Sequence, residues 1–243
     1  MHIPEAAVTL ERELRGIFGG RMQSFVLYGP RPDDEHSHAS RGHDGAIAVH
    51  TMAIVDALSA EDLRACSGRM AAWQEAGLAA PLLVGAHEFG RSLDAFPFEF
   101  GAILSDHLVV SGANPFEGLS VDAADMRRAC EVQARGHLLH LRQGYLETCG
   151  RGDALAVLIV RSAPACAALV MSVARLDGGA TSNEAGAAAR AVERRLQLAA
   201  PTMSDVVALT NVAEIPSVDA ERLFPPYLEA IERLVAYIDG WKH

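Results

Sequence analysis

Four histidines, His36, His38, His43 and His50, fall within fifteen residues, in company with Asp33, Asp34, Glu35 and Asp44. Imidazole and carboxylate together suit Zn²⁺ and other transition metals. His36 and His38 would share a face of an extended chain. Their spacing matches no known metal box, and the segment Gly-Pro-Arg-Pro-Asp-Asp-Glu before them has the composition of a solvated loop, which is the reading it favours. Asp44 has a second setting. Ser24-Phe25-Val26-Leu27-Tyr28-Gly29-Pro30 reads as a buried strand running into a tight turn, and fourteen residues past Pro30 Asp44 opens another apolar run, Asp44-Gly45-Ala46-Ile47-Ala48-Val49. An acid there is either a solvated turn residue or a chemical group facing whatever the turn holds. Two later acids, Asp94 and Glu99, flank the segment Phe96-Pro97-Phe98. Glu99, between Phe98 and Phe100, reads by itself as a buried carboxylate bonded to backbone or arginine.

The elements that would position these groups follow from periodicity. Ala7, Leu10, Leu14, Ile17 and Phe18 give residues 4–18 one apolar helical face, and Gly19-Gly20 stops the helix. Met22 to Tyr28 is a strand, residues 29–43 are a polar loop, and 44–52 form the next strand. Ser59 with Asp62 three residues on predicts a capped helix running to Gly77. Pro81 to Gly85 is a third strand, 86–93 a short helix, and Phe96 to Val110 a strand or a strand–helix mixture. From Asp122 onward the pattern is helical: 122–149, 153–175, 183–199, a shorter piece near 203–213, and 219–240. The composition therefore divides the chain into an α/β part, 1–118, and an all-helical part, 119–243, the latter an antiparallel bundle.

The strand–turn–strand pairing resembles the DNA polymerase β-type nucleotidyltransferase superfamily, in which the first strand ends in Gly-Ser and the second begins with Asp-x-Asp. A second stretch is similar to a bacterial group of predicted nucleotidyltransferases: Ser92-Leu93-Asp94-Ala95-Phe96-Pro97-Phe98-Glu99-Phe100, then His107-Leu108-Val109-Val110-Ser111-Gly112, then Leu138 to Leu146 with its Leu-Arg-x-Gly-Tyr-Leu patch. The resemblance covers roughly residues 5 to 150. It implies an α+β fold: a nucleotidyltransferase-like mixed sheet with flanking helices, followed by an all-α helical bundle.

The resemblance also implies a chemistry, and two departures from it. Nucleotidyl transfer depends on positioning and charge neutralisation, with Mg²⁺ ions held by converging carboxylates. Carried onto this chain, nucleotide binding falls to Gly29, Pro30 and Asp44, metal binding to Asp44 with Asp94, and catalysis to Asp44 and Glu99. The Gly-Ser serine is replaced by Pro30, which has neither hydroxyl nor N–H, and the second aspartate by Ala46, which has no oxygen. The leading expectation is a nucleotidyltransferase-like protein with a degraded two-metal site, binding or sensing nucleotide instead of transferring it efficiently. One alternative is an active Mg²⁺-dependent nucleotidyltransferase acting on a small molecule or protein. The other is an interaction module whose helical half forms a homo-oligomer or binds another protein.

Bulk composition narrows the partners. A net charge of −10 on 243 residues, with no basic block, argues against a general nucleic-acid binder. Cys66, Cys130, Cys149 and Cys166 form no Cys-x-x-Cys pair, consistent with thiols in a reducing, cytoplasmic setting. The apolar run 154–174 contains Arg161 and Pro164 and reads as the central helix of the bundle, kinked or restarted at Pro164, instead of a membrane span. Arg135 and His140 match the short Arg-x4–6-His pattern of HEPN ribonucleases, a motif too common to carry weight without its structural context. His137 and His140, three apart, are expected on one face of their helix. Trp73, Trp241 and the Phe96-Phe98-Phe100 cluster read as core or interface.

Overall fold

A computed structural model describes residues 3–29, 48–178 and 184–241. Among them the chain is α+β, with one four-stranded mixed sheet and ten α-helices. It divides into two compact units, Met1–Val121 and Asp122–His243, each with its own packing.

The first unit begins with helix α1, Glu5–Phe18, which turns through Gly19–Arg21 into strand β1, Met22–Tyr28. Strand β2, His50–Val55, pairs antiparallel with β1, Tyr28 facing His50 and Met22 facing Val55. Strand β3, Leu82–Gly85, lies parallel to β2, and strand β4, His107–Gly112, lies antiparallel to the other side of β1, giving the order β3-β2-β1-β4. Successive residues of a strand point to opposite faces, and both faces here are apolar. Phe25, Leu27, Ala53 and Val55 pack under Leu10, Leu14 and Trp73 on one side. Val26, Met52, Ile54 and Val84 meet Phe89, Phe100, Ile103 and Phe116 on the other. A sheet covered on both faces explains why β1 and β2 read as continuous apolar runs.

Helices α2, Ala60–Ser67, and α3, Met70–Glu75, replace the single helix expected from Ser59 to Gly77. The start is as read: the Ser59 hydroxyl accepts the Asp62 N–H, and the Asp62 carboxylate accepts the Ser59 N–H. The break falls at Gly68-Arg69, Gly68 having the lowest helix propensity among residues 60–75. Helix α4, Ala86–Ala95, matches the expected short helix. The 96–110 stretch resolves into helix α5, Pro97–Ser105, opened by a proline at its first position, and then β4.

The second unit is a helical bundle of α6 (Ala123–Glu147), α7 (Gly152–Leu176), α8 (Ala185–Leu196), α9 (Thr202–Ala208) and α10 (Ser217–Asp239). α7 packs against all four of the others. By length and composition it could cross a membrane, but its Leu155, Ile159, Cys166, Val170 and Val173 are buried within the bundle. It passes through Pro164 as one helix, neither ending nor restarting there. Pro164 is exposed, so its ring faces water. Glu193, buried on α8, accepts both the N–H and the hydroxyl of Ser204 at 2.7 and 2.8 Å, and so supplies the first turn of α9 with the acceptor that Pro201 lacks.

Candidate functional site at the head of the central strands

The end of β1 and the start of β2 meet at Tyr28 and His50, paired across the ladder with ring centroids 5.6 Å apart. Burial holds the His50 imidazole below its ordinary pKa, favouring the neutral ring, and raises that of the Tyr28 phenol. Gly29 follows with φ 70°, a left-handed conformation that suits glycine, and a Cβ placed there would meet nothing within 4 Å among the described residues. Among the described residues the turn is therefore open on its side-chain face. Its backbone is not. The Gly29 N–H donates to the Asp106 carbonyl at 3.1 Å, fastening the end of β1 to the residue before β4. Beside it, His107 Nδ1 lies 3.1 Å from the Leu104 carbonyl and its ring sits 4.6 Å from Phe116.

Several residues singled out in the sequence fall elsewhere. Asp94 lies near the end of α4 and Glu99 in the first turn of α5, both exposed and both on helices. Glu99 is thus not the buried carboxylate its aromatic neighbours suggested. Pro97, Phe100 and Ile103 take the inner face of α5, which a helical period allows and a strand period does not. Pro30, Asp44, Ala46, His36, His38 and His43, and with them the start of the strand expected at Asp44, lie outside the described residues. The described β2 starts at His50 and continues to Val55, three residues past the expected end. No group of three or more His, Cys, Asp or Glu able to hold a metal ion occurs among the described residues. Asp106 and the Gly29–Asp106 bond escaped the sequence reading; a backbone bond between distant residues leaves no side-chain signature.

The bundle's polar interior is structural. His137 is buried, with Nε2 2.7 Å from the Tyr227 hydroxyl, which also lies 3.1 Å from Ser162 Oγ. His140, its neighbour three residues on, whose charge helps lower the His137 pKa, is exposed, so the pair straddles the edge of the buried stripe. Arg135 donates to both oxygens of Asp239 at 2.8 Å, and this ion pair gives the Arg-x4-His pattern a structural role. Trp73 is buried, its Nε1 donating to Glu13 at 2.8 Å, whereas Phe96 is 57% exposed.

No family model matches the chain, and no curated protein matches it. Among solved structures it is similar to the spectinomycin adenyltransferase AAD(9) from Enterococcus faecialis, determined with ATP and spectinomycin. The identity is 9% and the TM-score 0.58, over 96% of this chain and 99% of that one. The fold is nucleotidyltransferase-like. In a nucleotidyltransferase-like sheet the described strand heads present Gly29, His50 and the Asp106 backbone, and these alone do not make the converging hard-oxygen set that Mg²⁺ requires.

Proposed function

We propose that this chain is a nucleotidyltransferase-like protein that binds nucleotide at the head of β1 and β2 and does not transfer it efficiently. The observation that carries the loss of efficient transfer is the Gly29 N–H, which already donates to the Asp106 carbonyl. The next residue, Pro30, has no N–H to give. Pro30 thus supplies neither the hydroxyl nor the backbone N–H that the turn of the resembled family offers a phosphate, and Ala46 removes a carboxylate from the metal set that the resemblance implies. The fold likeness to a protein determined with ATP supports nucleotide as the ligand class. A divalent ion bound with the nucleotide would neutralise phosphate charge, with Asp44 as its first ligand and Asp94 assigned only by resemblance.

The test is calorimetry of ATP, GTP, CTP and UTP, with and without Mg²⁺, on the full chain and on Asp44→Ala, alongside a pyrophosphate-release assay. The reading expects saturable binding of at least one nucleotide, weakened in Asp44→Ala, with pyrophosphate release near background. Absence of binding by all four would overturn it.

A second reading, an active Mg²⁺-dependent enzyme, draws on one observation: the Asp106 backbone carbonyl accepts the Gly29 N–H, which brings an aspartate to the end of β1. It expects Mg²⁺-dependent pyrophosphate release that Asp106→Asn abolishes. An interaction role draws on Val132, Leu139 and Leu146, spaced by seven along α6 and 63%, 62% and 76% exposed. It expects a mass that rises with concentration in sedimentation experiments. A cytoplasmic setting accords with four free thiols.

A further inference from the structure

The helical unit contains a cavity of about 390 Å³ between the end of α7, the outer half of α8 and the end of α10. That volume falls in the range of small-molecule sites, roughly 300–1,000 Å³. Its lining is at odds with the rest of this acidic chain: Arg190, Arg194 and Arg195 converge on it, against a single acid, Asp177.

Asp177 is fully engaged. Arg195 Nε donates to one of its oxygens at 2.5 Å and the Tyr237 hydroxyl to the other at 2.9 Å. This clasp cancels one arginine and leaves Arg194 and the loosely paired Arg190. Arg190 approaches Glu184 only to 3.9 Å, and Arg194 has no ion pair among the described residues. The negative end of the α8 dipole accounts for basic residues in its last turn, Arg194 and Arg195. It does not account for Arg190, one turn further in and lining the same hollow. Behind the guanidinium groups the wall is apolar, formed by Val173, Ala187 and Ala191. Two guanidinium forks one helical turn apart, over an apolar floor, match an oxyanion carried on a less polar body.

We propose that this cavity binds a phosphate-bearing small molecule, with Arg190 and Arg194 on the phosphate oxygens and the alanine–valine wall against the remainder. The site lies wholly within the second unit and does not rest on the nucleotide reading of the first.

The experiment is calorimetry of inorganic pyrophosphate, without metal, on the full chain and three variants. Arg190→Ala/Arg194→Ala removes the proposed donors. Arg190→Lys/Arg194→Lys keeps the charge but loses the fork, and serves if the alanine pair does not fold. Arg222→Ala, an exposed arginine of α10 paired with Asp219, controls for general basic charge. Saturable binding by the parent chain is expected, weakened by about tenfold or more in the alanine pair and measurably in the lysine pair, and within about twofold of the parent in Arg222→Ala. Three results would each overturn the proposal: no saturable heat with the parent chain, full affinity retained in the alanine pair, or an equal loss in Arg222→Ala.

Discussion

At the scale of single residues, two positions combine close geometry with a definite cost. His137 is buried against Tyr227. Burial, with a smaller contribution from His140, pushes its imidazole down to about 4, against an ordinary 6.5. A lowered histidine pKa means that the unfolded chain takes up the proton first. The stabilisation is therefore complete above pH 6.5 and is lost as pH falls toward 4. The loss is on the order of 3 kcal/mol across that interval. Urea unfolding of the parent chain and of His137→Gln at pH 7.5 and 4.5 should show a smaller acid loss in the variant; identical losses would refute the assignment. Gly112, the last residue of β4, has φ 81°, and an added Cβ would stand 2.0 Å from the Gln23 carbonyl oxygen. Backbone cannot yield as a flexible side chain does, so Gly112→Ala should cost more than about 3 kcal/mol. A midpoint unchanged in chemical denaturation would contradict the close approach of β4 to β1.

At the scale of elements, α2 shows how local chemistry sets a boundary. The Ser59–Asp62 capping box is reinforced by Arg21, which grips both Asp62 oxygens at 2.7 and 2.9 Å. Ser59→Ala should destabilise the first unit by about 1 kcal/mol, read as a shift in its unfolding midpoint. This box was legible because its two partners lie three residues apart in sequence. The same holds for Met22–Tyr28, for α1 and for the long helices of the second half, where apolar spacing repeats over many residues. The α2–α3 break and the α5–β4 split were less legible. Gly68 and Asp106 end helices of eight and nine residues, and a window that short holds barely two turns of periodicity. The site was the least legible part. Its decisive bond joins the Gly29 N–H to the Asp106 carbonyl, and any residue type could have supplied that acceptor. His50, grouped with the loop histidines but also inside the strand expected over 44–52, is the first residue of β2.

At the scale of the whole molecule, each unit closes its own core. One is organised on the two faces of the β3-β2-β1-β4 sheet, the other around α7. The segment 122–243, expressed alone, should therefore fold, giving a helical circular dichroism spectrum and a cooperative thermal transition. A non-cooperative melt would show that the bundle depends on the first unit.

The turn between α6 and α7 has a practical side. Cys66, Cys130 and Cys166 are buried, and the last two have thiols pushed up to about 12 by burial, whereas Cys149 is exposed in a left-handed turn at φ 52°. Thiolate is the reactive form, so a maleimide should take one equivalent per folded chain, at Cys149. A fluorophore or spin label can thus be attached at one known point beside the bundle without altering the sequence.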